Sequence, residues 1–208
     1  MLSIIQAAGW PIWPLLACSV VALALVIERL ISLRDGLVVP KGLLDQAVQA
    51  SQHHVPSPEV IAQLAQHSSL GQVLASGCRA LEANANISDV DLRFSMEAAG
   101  RQAAHALDKN LSALATIASA APLLGLLGTV IGMIDIFGAQ TPGGNNPAQL
   151  AQGISMALYN TAFGLMVAIP ALMFWRFFRA KVDAYVLALE LDAEHFARHL
   201  LAMRHAKR

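Results

Sequence analysis

Charge is scarce in this sequence, and most of all in one place: from Asn110 to Trp175 the only formally charged residue is Asp135. Over all 208 residues 13% are Asp, Glu, Lys or Arg and 56% are hydrophobic, where soluble domains carry about a quarter charged. That excludes an ordinary soluble domain and points to a membrane protein. Formal net charge is zero, so neither a basic excess for nucleic acid nor an acidic tail is present. Two cysteines, Cys18 in an apolar run and Cys78 in a polar region, provide no disulfide framework and no metal-ligand spacing; both read as packing residues. No Lys or Arg precedes the first apolar run in "MLSIIQAAGWPIW", so the basic start of a cleavable signal is missing and the first helix is expected to stay. There is no GxxxxGK[ST], HExxH or G-x-S-x-G, so neither nucleotide hydrolysis nor known hydrolase chemistry is signalled. No enzyme, no cofactor and no metal site is expected. His195 and His199, four residues apart, suit a solvated or headgroup-facing helix face better than a metal, and His53-His54 lies in a turn-rich segment.

Three apolar stretches can each cross a hydrocarbon layer, which takes about 20 helical residues. They are Ile12–Leu33, about Thr116–Phe137 and about Gly153–Phe178. Trp10 and Trp13 flank one end of the first, with Glu28, Arg29 and Arg34 at the other; Arg176, Arg179 and Lys181 close the third. Glu28, Arg29, Arg176 and Arg179 are expected at the inner interface, mostly as snorkelling flanks meeting lipid headgroups. The connection 138–152, "GAQTPGGNNPAQLAQ", has no charge, so the positive-inside rule places it outside, with the N-terminus outside and the C-terminus inside. The expected organisation is a periplasmic N-terminus and first span in 1–33, a cytoplasmic helical domain in 34–115, spans two and three in 116–178, and a cytoplasmic C-terminal helix in 179–208.

The fold class is therefore an all-α membrane protein with a cytoplasmic helical bundle. Ser88, with Asp91 three residues on, starts a helix, and after it only Gly100 interrupts helix formers until Pro122. One continuous helix from Ser88 through Phe137 is expected, about 75 Å long. Past the third span, Val182, Tyr185, Leu189, Phe196, Leu200 and Met203 recur at helical spacing. Their expected partners are Leu92, Met96, Ala99, Ala103 and Ala106 on the preceding long helix.

Inside the spans, Ala118, Ala121, Gly125, Gly128, Gly132 and Asp135 share one helix face, and Ala157, Thr161, Gly164 and Ala168 follow similar spacing in the third span. Small residues on matched faces let membrane helices approach closely. Thr129, Asp135, Asn160 and Thr161 add polar groups at membrane depth, where each must find a partner or water. A threonine hydroxyl has its own helix as an alternative acceptor, and Asp135 lies near the outer end. Pro170 is expected to free the carbonyl of Met166.

"APLLGLLGTVIGMIDIF" (121–137) and "GISMALYNTAFGLMVAIPALMFWRFF" (153–178) resemble the two signature helices of the ExbB/TolQ/MotA proton-channel family, and the short outside loop with a cytoplasmic insertion resembles ExbB and TolQ most. The resemblance implies an inner-membrane, pentameric proton-channel subunit around a dimer of ExbD-like helices, whose buried aspartate carries the proton. It implies that Thr129 and Thr161 face that aspartate and that small residues let neighbouring subunits close. It further implies that proton-motive force is turned into work on a TonB-like protein in biopolymer transport. Asn160 and Asp135 are further pore-lining candidates, and Gly125, Gly128, Gly132, Ala157, Gly164 and Ala168 are packing positions. Where many family members carry a glutamate in the third span, this chain has Met156. A TolQ-like envelope role and a non-conducting scaffold are the competing expectations.

Overall fold

In the computed structural model, residues 10–52, 54–138 and 147–206 are described. His53 and most of the uncharged connection (139–146) lie outside them. The described chain is helical without a strand: α1 (Ile12–Ser32), α2 (Asp35–Val38), α3 (Leu43–Ala50), α4 (Pro58–His67), α5 (Ser69–Ala83), α6 (Asp89–Asp108), α7 (Leu111–Gly138) and α8 (Pro147–Ala206). Three stretches are long and apolar enough to cross a membrane: Ile12–Ser32, Asp89–Gly138 and Gly153–Arg204. Helix α8 begins at Pro147.

The single long helix expected from Ser88 to Phe137 is instead two. Lys109 takes an extended ψ of 138° and Asn110 has a φ of 66°, a left-handed conformation that asparagine tolerates because its short amide side chain can bond locally. The Asn110 carbonyl then accepts from the Leu114 amide at 3.2 Å and opens α7. Gly100 does not break its helix. Pro122 and Pro170 both lie inside continuous helices, Pro170 without ending the 60-residue α8.

The chain forms two compact units. One comprises 10–29, 110–138 and 147–177, built from α1, α7 and the first half of α8. Leu15, Ala121 and Ala168 are its buried cluster, with Leu124, Phe163 and Val167 packed against it. Its outside is apolar, with Leu123, Ile134, Met166, Ile169 and Phe177 all exposed, as a surface solvated by lipid requires.

The other unit comprises 30–109 and 178–206. Ser68 and Ser88 accept from the amides of Gly71 (3.0 Å) and Asp91 (3.1 Å), capping α5 and α6. The second half of α8 buries Val182, Tyr185, Leu189, Phe196 and Leu200, with Met203 half-buried. On α6, Leu92, Met96, Ala103 and Leu107 are buried while Ala106 is exposed; Leu107 takes the place expected of Ala106. Met96 and Leu200 meet over Gly77, where an added Cβ would stand 2.8 Å from Met96 Sδ and 3.2 Å from Leu200 Cδ1. Full burial of a Leu or Phe is worth about 1.5–3 kcal/mol, so these residues hold the unit together. The ion pairs Arg93–Glu194, Arg179–Asp108 (2.9 Å) and Arg204–Asp89 set α6 antiparallel to this part of α8. Exposed pairs contribute at most about 1 kcal/mol each, so they record the register more than they enforce it.

Just beyond α1, the buried Tyr185 hydroxyl lies 3.0 Å from the Leu33 carbonyl and donates to the Asp35 carboxylate. The Lys181 ammonium is 3.5 Å from Asp35 and 5.5 Å from the Tyr185 ring centre. The Tyr185 hydrogen bond, and then the Lys181 charge, hold the Asp35 carboxyl below its ordinary 3.8, while burial and then the Asp35 hydrogen bond raise Tyr185. A carboxyl depressed in the fold stabilises it above its unfolded value and loses that contribution as pH falls through the folded one. Asp35→Asn should therefore lower the melting temperature of the detergent-solubilised protein near pH 7, with a difference that narrows towards about pH 3. A difference independent of pH would show that the charge of Asp35 does not matter to the fold.

Candidate functional site

The site is the seam between α7 and the first half of α8, and glycine sets its width. A Cβ on Gly125 would stand 2.8 Å from the Asn160 carbonyl and 3.0 Å from Thr161 Cα; on Gly164, 2.6 Å from the Ala121 carbonyl and 3.1 Å from Gly125 Cα. At Gly128 it would run into the Asn160 side chain at 2.7–2.9 Å, and at Gly132 it would lie 3.2 Å from Ala157 Cβ. Ile136 covers Gly153 at the far end. Gly125 and Gly164 face bare backbone and Gly132 faces an alanine, so the two main chains run nearly in contact there, while the Asn160 and Ile136 side chains fill the space over Gly128 and Gly153. That closeness is how helices bind where lipid is as apolar as any side chain.

Gly125, Gly128, Ala157, Gly164 and Ala168 are buried, and Gly132 is half-buried. The face chosen by spacing is therefore the contact face, but what it contacts is α8 of the same chain.

Two of the four polar candidates lie in the seam. The Thr161 hydroxyl donates to the Gly125 carbonyl at 3.2 Å, a carbonyl exposed to it because Gly125 has no side chain. Asn160 is 2% exposed and packs its side chain on Gly128. The other two lie elsewhere. Thr129 is one residue past Gly128 and so about 100° around the helix; it is half-buried, its hydroxyl bonded at 2.6 Å to the carbonyl of Leu126. Thr129 and Thr161 therefore do not form a facing pair. Asp135 is exposed, beyond the tight rungs. The side chain of Met156 lies outside the described residues.

At the basic ends, Arg29 departs from a snorkelling flank. It is 3% exposed and forks onto Glu28, with Nε–Oε2 and Nη2–Oε1 both 2.5 Å. Arg179 reaches Asp108 and, at 3.3 Å, Asp183, so protein carboxylates hold it; Arg176 is exposed. His199 stacks on Phe196 with ring centres 6.3 Å apart, and the described residues contain no group of three metal-ligating side chains. Reading by periodicity missed the Gly125 carbonyl as an acceptor and Ile136 over Gly153. The first had a signal in the glycine itself, since only there is the backbone bare.

Gly125→Ala should force the rungs apart and lower stability by about 1–3 kcal/mol. Gly138→Ala, at a helical position with nothing within 4 Å of the added Cβ, should cost nothing. Parallel thermal unfolding of the two variants in detergent checks this, and equal effects would mean the seam is not tight.

Residues 65–191 match the MotA/TolQ/ExbB proton channel family, a region that contains the whole seam. The biopolymer transport protein exbB1 of Vibrio cholerae is 38% identical over 172 residues, which cover 80% of this chain and 73% of that protein. The putative biopolymer transport protein ExbB-like 3 of Synechocystis sp. is 31% identical over 181 residues, covering 84% and 83%. Over 78 residues, 37% of this chain and 54% of that protein, the biopolymer transport protein ExbB of Helicobacter pylori is 45% identical. With a match over more than half its length and ExbB relatives along most of it, the chain belongs to the MotA/TolQ/ExbB proton channel family.

Proposed function

We propose that this chain is an ExbB-like proton-channel subunit of the bacterial inner membrane, three-spanning with its N-terminus outside and its C-terminus inside. In this reading it assembles as a homo-oligomer, a pentamer by resemblance, around an ExbD-like dimer and passes work to a TonB-like protein. Residues 34–115 and 179–208 make the cytoplasmic helical bundle. It needs no cofactor and forms no bond; its substrate is the proton.

The observation that carries this reading is the Thr161 hydroxyl bonded to the Gly125 carbonyl beside the buried Asn160. A hydroxyl and an amide fixed at membrane depth offer exchangeable hydrogen bonds without a permanent charge. A carboxylate brought there by the partner is costly when ionised and cheap when protonated, because desolvation disfavours the charged form. Proton binding therefore changes which wall the partner helix prefers, and cycling that preference moves one component against the other. Thr129, on another face, and Asp135, at the outer end, serve the entry route in this account. A TolQ-like assembly would use the same chemistry on a different energised protein.

One observation favours a second reading, a scaffold that conducts nothing: the Thr129 hydroxyl already bonds its own helix, and the Thr161 hydroxyl bonds α7 of the same chain. Proton uptake into liposomes, with and without the ExbD-like partner, separates the two. Uptake that requires the partner and falls at least about tenfold, some 1.4 kcal/mol, in an assembled Thr161→Val complex supports conduction. Absence of uptake from correctly assembled wild-type complexes leaves the scaffold.

A further inference from the structure

Hydroxyls on apolar helices commonly bond back to their own backbone, and several on α7 and α8 do so. Thr116 donates to the Ser112 carbonyl, Ser119 to Ala115, Thr129 to Leu126 and Ser155 to Ala151, at 2.6–3.1 Å. Thr161 has the same alternative in the Ala157 carbonyl, four residues back. Its hydroxyl donates across the seam instead, to the Gly125 carbonyl at 3.2 Å. For the crossing bond to win, the rotation of α8 against α7 has to be fixed.

Glycine alone does not fix it. Bare backbone sets how closely two helices approach, while rotation and register are set by side chains that enter the facing helix. Two do so, in opposite directions. Asn160 enters α7 at Gly128, where an added Cβ would stand 2.7 Å from its Cβ and 2.9 Å from its Cγ and Nδ2, and Ile136 enters α8 at Gly153. The two places lie about 10–12 Å apart along the seam, and Asn160 is the one next to Thr161. These neighbours also differ in reach: Asn160 is 2% exposed, enclosed by the seam, whereas Thr161 is half-buried at its edge. An incoming group meets the hydroxyl, and the amide stands behind it.

We propose that Asn160 is a positioning residue. Seated against bare Gly128, its side chain holds α8 at the rotation in which Thr161 bonds the Gly125 carbonyl; without it, Thr161 falls back onto its own helix. The consequence for conduction rests on the role of Thr161 in the proposed function, while the positioning rests on the seam alone.

A stability cycle on the full chain in detergent tests the positioning without any conduction. Thr161→Val should lower the unfolding midpoint by about 2–4 °C, the effect of losing one hydrogen bond in a chain of this size. Added to Asn160→Ala, it should lower the midpoint no further. Added to Asn160→Leu, which keeps the branched outline of the side chain, or to Ile136→Ala, which removes the other entering side chain, it should again cost its full amount. An equal drop in the wild-type and Asn160→Ala backgrounds, no drop in either, or a drop abolished by Ile136→Ala as well would overturn the proposal. Proton uptake by complexes assembled with the ExbD-like partner reads the consequence: Asn160→Ala should reduce it about tenfold, and the double variant with Thr161→Val should be no slower than Thr161→Val alone, because the two act through one group. Losses that multiply would contradict a positioning role. Wild-type complexes that take up no protons would end the proposed function, and the stability cycle would still decide the positioning.

Discussion

The near-contact of two main chains at Gly125 and Gly164 is the constraint on which the membrane half of this protein depends. With Cβ absent on one side and backbone or alanine on the other, α7 and α8 gain dispersion contacts along several turns. They need no help from expelled water, which a bilayer does not supply. The same closeness uncovers the Gly125 carbonyl and lets Thr161 reach it. Packing and polarity at the seam thus have one origin. A single methyl at position 125 acts on both.

In the proposed arrangement helix α8 serves two solvents along its 60 residues. Before Phe177 it keeps small residues inward and exposes Leu165, Met166, Ile169 and Met173; after it, Val182, Leu189, Phe196 and Leu200 turn inward with charges outward. The inversion follows from the medium: large apolar side chains belong outside in lipid and inside in water. Asn110 makes a separate adjustment, its left-handed backbone dividing α6 from α7 at the border of the two units.

Much of this was legible beforehand because it depends on one-dimensional properties. Span length is a count of apolar residues, and a 3.6-residue period names a face, so the three candidate spans and the contact face of Gly125, Gly128 and Gly132 followed from spacing alone. What a face touches does not follow. The glycine stripe lies against α8 of its own chain, and Thr129, adjacent to that stripe in sequence, turned away from it by one helical step. Tyr185 and Asp35, 150 positions apart, carry no shared period and were invisible. Arg29 looked like any basic flank because burial against a neighbouring carboxylate is a tertiary fact. Asn110, like Gly125, was a signal present and unread, a residue suited to a positive φ between two good helices.

The most direct test of the seam is a disulfide within it. Gly132 and Ala157 bring their Cβ positions to 3.2 Å, just below the usual 3.5–4.5 Å span of a disulfide. In a chain without other cysteines, Gly132→Cys with Ala157→Cys should close spontaneously on oxidation and shift the monomer band while leaving its mass class unchanged. Dimers in place of that intramolecular bond, or two thiols that stay free, would contradict an α7–α8 seam within one chain.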